Sequence, residues 1–102
     1  MHLVQILLPL YDNVQDPQPP DQFRRVRKEL TERFGGLTVY TRAPAEGMWK
    51  LNDNETTRDD IVIFEVMANQ LDPTWWREYR HELEARFRQE VILIRAQQTQ
   101  LL

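Results

Sequence analysis

Five residues of this chain carry side chains suited to proton transfer or to gripping a ligand: Gln5, Tyr40, Arg42, Glu65 and Arg95. Glu65 can serve as a general acid or base, and Tyr40 brings a hydroxyl that can work beside it. Arg42 and Arg95 present planar guanidinium groups, which hold carboxylates or phosphates at two points. Trp49, within APAEGMWK, adds a large aromatic surface expected to pack on a partner subunit or at the mouth of a cavity. Tyr11, Asp12 and Asn13 close the first apolar run and stand where a strand end would present them.

Other chemistries lack their residues. His2 and His81 are the only histidines, with no HxH or HxxxH spacing, so no metal site is expected. His2 stands beside the terminus and His81 on the polar side of a helix. The absence of cysteine removes thiolate catalysis, disulfides and cysteine metal sites, and fits a reducing compartment, so the cytoplasm is the expected location. No GxGxxG, P-loop or GxSxG run occurs, so neither a nucleotide cofactor nor serine-hydrolase chemistry is expected, and the cofactor expectation is none. Thirteen basic against sixteen acidic residues leave a net charge of −3, which gives no long-range attraction to nucleic acid or anionic lipid. The apolar stretch Leu3 to Leu10 is broken by Gln5, lacks a basic flank and reads as a strand rather than a leader. Nothing approaches the roughly 18 apolar residues of a membrane span.

Periodicity then supplies the elements that must position the five residues. At 102 residues the chain predicts a single domain spanning 1–102. Leu3 to Tyr11 predicts a strand, closed by the turn-forming run DNVQDPQPPD. Phe23, Val26, Leu30 and Phe34 fall at helical spacing, with Asp21 as the expected N-cap and Gly35-Gly36 as the stop. LTVYTR predicts a second strand, and a loop of some 16 residues, Ala43 to Arg58, leads to a third, DIVIFEVMA. Asp72 and Pro73 open a second helix with apolar positions Trp76, Tyr79, Leu83 and Phe87, and VILIRA predicts the fourth strand. Helical spacing assigns Trp76 to the core and leaves Trp75 at its edge.

The two helices repeat one another. FRRVRKELTERF at 23–34 aligns without gaps on WREYRHELEARF at 76–87, with six of twelve positions identical. The same offset of 53 places Arg42-Ala43 on Arg95-Ala96, so the register carries into the following strand. A repeated strand–helix–strand unit predicts a duplicated split βαβ arrangement with right-handed crossovers. Within the first helix, Glu29 and Arg33 stand at the spacing of a solvated ion pair.

This order resembles the ferredoxin-like fold, an α+β βαββαβ sandwich with a four-stranded antiparallel sheet and two helices on one face. Strands apolar on both faces make it similar to the dimeric α+β barrel group. The resemblance is architectural and covers the whole chain. It implies a homodimer, and it carries no catalytic residues of any family onto these positions.

Strand alternation sends Val4, Ile6, Leu8, Leu10, Val39, Thr41, Val62, Phe64, Val66, Ile92 and Ile94 under the helices. The opposite face collects Leu3, Gln5, Leu7, Tyr40, Arg42, Ile61, Ile63, Glu65, Met67, Val91, Leu93 and Arg95. A face this apolar predicts an interaction surface, with Leu3, Leu7, Ile61, Ile63 and Leu93 as the core of a homodimer. Charged groups on it should pair or meet a ligand, and a bridge from Arg42 or Arg95 to Glu65 is expected. An RNA-binding sheet would show aromatics on the central strands, and here Tyr40 alone is aromatic on that face. Two functions follow from the pattern. One is a homodimeric module with Arg42, Arg95, Gln5, Tyr40 and Trp49 around a small-molecule ligand. The other is a cofactor-independent barrel-type enzyme, an isomerase or monooxygenase acting on a small aromatic or acidic substrate through Glu65 and Tyr40.

Overall fold

A computed structural model describes the backbone of residues 1–52 and 55–102 and the side chains of residues 1–40 and 60–102. The element order is β1 (His2–Pro9), α1 (Pro20–Phe34), β2 (Thr38–Asn52), β3 (Glu55–Ala68), α2 (Pro73–Arg86) and β4 (Ile94–Gln98). The strands form one antiparallel sheet in the order β2-β3-β1-β4. Each helix therefore links two strands that flank a third, which is the interlocking that two split βαβ units require. The α+β ferredoxin-like arrangement expected from the repeat is present.

Alternation divides the sheet as the residue pattern demands. Val4, Ile6, Leu8, Val62, Phe64, Val66 and Ile92 are buried beneath the helices, and Leu10, Val39 and Ile94 pack partly buried at the margin. From α1 come Val26 and Leu30, and from α2 Trp76, Tyr79 and Leu83, with Phe87 just beyond its end, which closes one core. Each large aliphatic or aromatic side chain so buried stabilises the fold by about 1.5–3 kcal/mol of transfer free energy. Trp75 sits half-buried against this core, as its position predicts.

The helix ends follow local chemistry. Asp72 caps α2, its carboxylate accepting the amide of Trp75 at 3.1 Å, with Pro73 in the first turn. Gly35 ends α1 in the left-handed conformation at φ 79°, and its amide donates to the Thr31 carbonyl. The start of α1 differs from expectation. Its N-cap is Pro19, with no side-chain bond, and Asp21 lies inside the first turn. Pro20, with its φ fixed at the helical value, starts the helix two residues earlier than an Asp21 cap would, leaving Asp21 beside the positive end of the helix.

Two strands also differ from their sequence pattern. The expected loop from Ala43 to Arg58 is instead paired strand: β2 and β3 continue as a hairpin from Ala45↔Ile61 to Asn52↔Glu55, beyond a register shift between Tyr40 and Ala45. Ala45, Glu46 and Gly47 lack strand propensity, and pairing with Ile61, Asp60 and Asp59 overrides it. The fourth strand begins at Ile94 rather than Val91. The segment before it is held by side chain and backbone bonds: Glu84 accepts the Ile92 amide at 2.9 Å, and the Leu93 carbonyl accepts the Leu7 amide at 3.0 Å.

Candidate functional site

Cross-strand register decides which polar groups meet on the open face of the sheet. Gln5 of β1 stands directly opposite Glu65 on β3 and Arg95 on β4. Tyr40 of β2 stands opposite Ile63, one diagonal step from Glu65. The four side chains join in a single file across all four strands. Arg95 Nε donates to Gln5 Oε1 at 2.7 Å, Gln5 Nε2 donates to Glu65 Oε1 at 2.5 Å, and the Tyr40 hydroxyl donates to Glu65 Oε2 at 3.1 Å. The expected bridge from Arg95 to Glu65 is thus replaced by a relay, because Gln5 occupies the strand between them. Both oxygens of Glu65 accept, which fixes the carboxylate plane. The Tyr40 phenol is held above its ordinary pKa of 10.0, chiefly by its hydrogen bond to Glu65 and then by that group's charge.

Around this file the surface is apolar. Leu3, Leu7, Ile61, Ile63 and Met67 are half-buried, Leu93 is 43% exposed and Tyr40 48% exposed. The five residues expected at a dimer core thus share one face with the relay. Val91 is on the outer rim at 74% exposure. Arg42 and Trp49 lie outside the residues whose side chains are described.

Other candidates take structural positions. Asp12 is buried and folds the turn after β1, its Oδ1 accepting the amides of Val14 and Asp16, both at 2.9 Å. That role was legible, since aspartate beginning DNVQDP is turn chemistry. Tyr11 leaves the sheet for an isolated bridge with Pro17, so the strand end does not present it with Asp12 and Asn13. Gln18 carried no sequence signal among the prolines, yet it is buried and donates to the Phe87 carbonyl at 2.6 Å. His2 is the first residue of β1, opposite Ala68 and Gln98. His81 is exposed, 3.3 Å from Glu84. Among the described residues no cluster of three His, Asp or Glu stands together, and no helix is long and apolar enough to cross a membrane.

A second polar cluster joins the helices. Arg86, its side chain 8% exposed, donates to both oxygens of Glu29 at 2.6 and 2.8 Å and pairs with Glu82, while the Tyr79 hydroxyl donates to Glu29 at 3.1 Å. Glu29 and Glu82 occupy equivalent positions of the repeat, so the duplication brings two carboxylates onto one guanidinium. The hydrogen bonds from Arg86 hold Glu29 below its ordinary pKa of 4.5, against the opposing effect of burial. Tyr79 is pushed up, first by burial and then by Glu29. The expected Glu29–Arg33 pair is displaced: Arg25 lies 3.8 Å from Glu29, and Arg33 stacks 4.0 Å over the Trp75 ring.

Comparison with known proteins fits this geometry to a fold. A phage SAM lyase is similar. Its structure, determined in complex with S-methyl-5'-thioadenosine, superposes with a TM-score of 0.64 at 12% sequence identity, over 94% of this chain and 79% of that one. No family model and no curated protein sequence matches this chain. At that identity the likeness supports the fold of the chain and assigns none of its side chains.

Proposed function

We propose that this chain is a homodimeric small-molecule-binding module whose open sheet face forms both the subunit contact and the binding surface. The observation that carries the reading is the file Arg95–Gln5–Glu65–Tyr40 set in an otherwise apolar face. Apolar residues on this scale seek a cover, whereas a charged file under a plain apolar cover would lose hydration with nothing in return. A ligand with a polar edge and an apolar or aromatic body satisfies both requirements. Arg95 is bonded through Nε, and its terminal nitrogens make no hydrogen bond among the described residues, so a carboxylate would meet them there. The phage lyase of similar fold is described with a bound nucleoside thioether, which makes a heteroaromatic ligand a natural first probe.

Light scattering coupled to size exclusion, across a dilution series, tests the assembly: a dimer is expected for the native chain and a monomer for Ile63→Arg. Calorimetry with S-methyl-5'-thioadenosine and with aromatic acids then tests the site. Binding lost in Arg95→Ala supports the reading, and a native monomer overturns it.

The Tyr40–Glu65 pair favours a second reading, a cofactor-independent enzyme. A hydroxyl donating to a fixed carboxylate is a proton-transfer geometry. Turnover abolished by Glu65→Gln with ligand affinity retained would select it over a binding module.

A further inference from the structure

On the other side of the sheet, α1 and β3 leave a cavity of about 290 Å³ between them. Leu10, Phe23, Val62 and Phe64 make its walls, and Arg24 and Arg27 stand at its rim. The volume is near the lower limit of the roughly 300–1,000 Å³ usual for ligand pockets, so its occupant is small.

The repeat sets the cavity residues of α1 against their counterparts in α2. Trp76 and Tyr79 of α2 correspond to Phe23 and Val26 of α1, so the second half carries larger rings at these positions. The charges differ in the same direction. Arg80 has Glu84 one turn on, 3.9 Å away, and the counterpart of Glu84 in α1 is Thr31. Arg27, the counterpart of Arg80, has no carboxylate partner among the described residues, while Arg24 pairs with Asp21. The first half thus carries less bulk and one carboxylate fewer at these positions.

We propose that this cavity binds a small amphipathic carboxylate, its apolar or aromatic body against Phe23, Leu10 and Val62 and its carboxylate on Arg27. A guanidinium at an apolar mouth recognises that combination of charge and shape, and a neutral analogue of equal size forgoes the charge-assisted bond. The site is separate from the open face and does not depend on the reading given for it.

Titration of isotope-labelled protein with 2-naphthoate and with neutral 2-naphthamide, followed by amide NMR shifts, tests the proposal. Shifts clustered at Phe23, Arg27, Val62 and Phe64 are expected, with naphthoate bound about tenfold or more tighter, as a hydrogen bond to a charged group implies. Arg27→Glu should erase that preference and leave the ligand-free spectrum intact. Phe23→Trp, which copies the larger ring of α2, should weaken both ligands, and Arg95→Ala should change neither. Equal affinity for the two probes, a preference that survives Arg27→Glu, or shifts confined to Leu7, Ile63 and Arg95 would overturn it.

Discussion

Gln5 and Glu65 face each other across the two central strands, and the amide of one donates to the carboxylate of the other at 2.5 Å. Gln5 also accepts from Arg95, so one neutral side chain couples two charges that cannot reach each other directly. A relay of this kind has consequences for stability as well as for ligands.

Gln5→Leu removes the bridge and leaves the half-buried Glu65 short of a donor, while the exposed Arg95 keeps its water. A loss of about 1–3 kcal/mol is expected, because orphaned polar groups cost more than the bond itself contributed. Changing Glu65 to Leu as well should recover most of that loss. Denaturant unfolding at fixed protein concentration, arranged as a double-mutant cycle, reads both; simple additivity of the two losses would contradict the relay.

The Tyr40 phenol should ionise above its ordinary 10.0. Its contribution to stability is present below pH 10 and is lost as pH rises through the higher folded value, since the unfolded chain releases that proton first. Phenolate absorbance, taken as the difference between the native protein and Tyr40→Phe, gives the midpoint. Glu65→Gln should bring it back toward 10, and an unmoved midpoint would show that Glu65 does not control it.

At acid pH the helix cluster responds. Glu29 is held below 4.5, so its contribution is present above pH 4.5 and disappears as pH falls through the lower folded value. Thermal unfolding followed as pH is lowered through 4.5 should show a fall in stability that Glu29→Gln flattens. Arg86→Leu should cost about 2 kcal/mol at neutral pH, the loss of charge-assisted bonds to a partly buried carboxylate.

Gln18→Leu should destabilise by about 1 kcal/mol, because the Phe87 carbonyl loses its shorter bond, from the loop after β1, and keeps only the Gln89 amide at 3.2 Å. Hydrogen exchange at Gln18 and Phe87 should quicken with it. Unchanged exchange would mean that the backbone bond from Gln18 to Leu10 suffices to hold the loop.

Much of this was legible in the residues. The period of two sorted Val4, Ile6 and Leu8 from Leu3, Gln5 and Leu7, and Asp72-Pro73 marked a helix start that the Trp75 amide occupies as expected. Asp21 misled because a capping residue after Pro20 arrives too late; that proline had already set the helical φ. The segment from Ala43 to Arg58 read as loop because propensity is local, whereas its pairing comes from a strand partner across the hairpin.

By itself the sequence determined the element order, the buried face of each strand and helix, and the duplication, because hydrophobic period and repeat are properties of neighbours along the chain. Tertiary structure alone decided the partners of the polar groups. Glu65 meets Gln5 and Tyr40 instead of Arg95, and Arg86 meets Glu29 in place of Arg33, because strand register and helix packing set those distances, and one position of shift would send each side chain to another face.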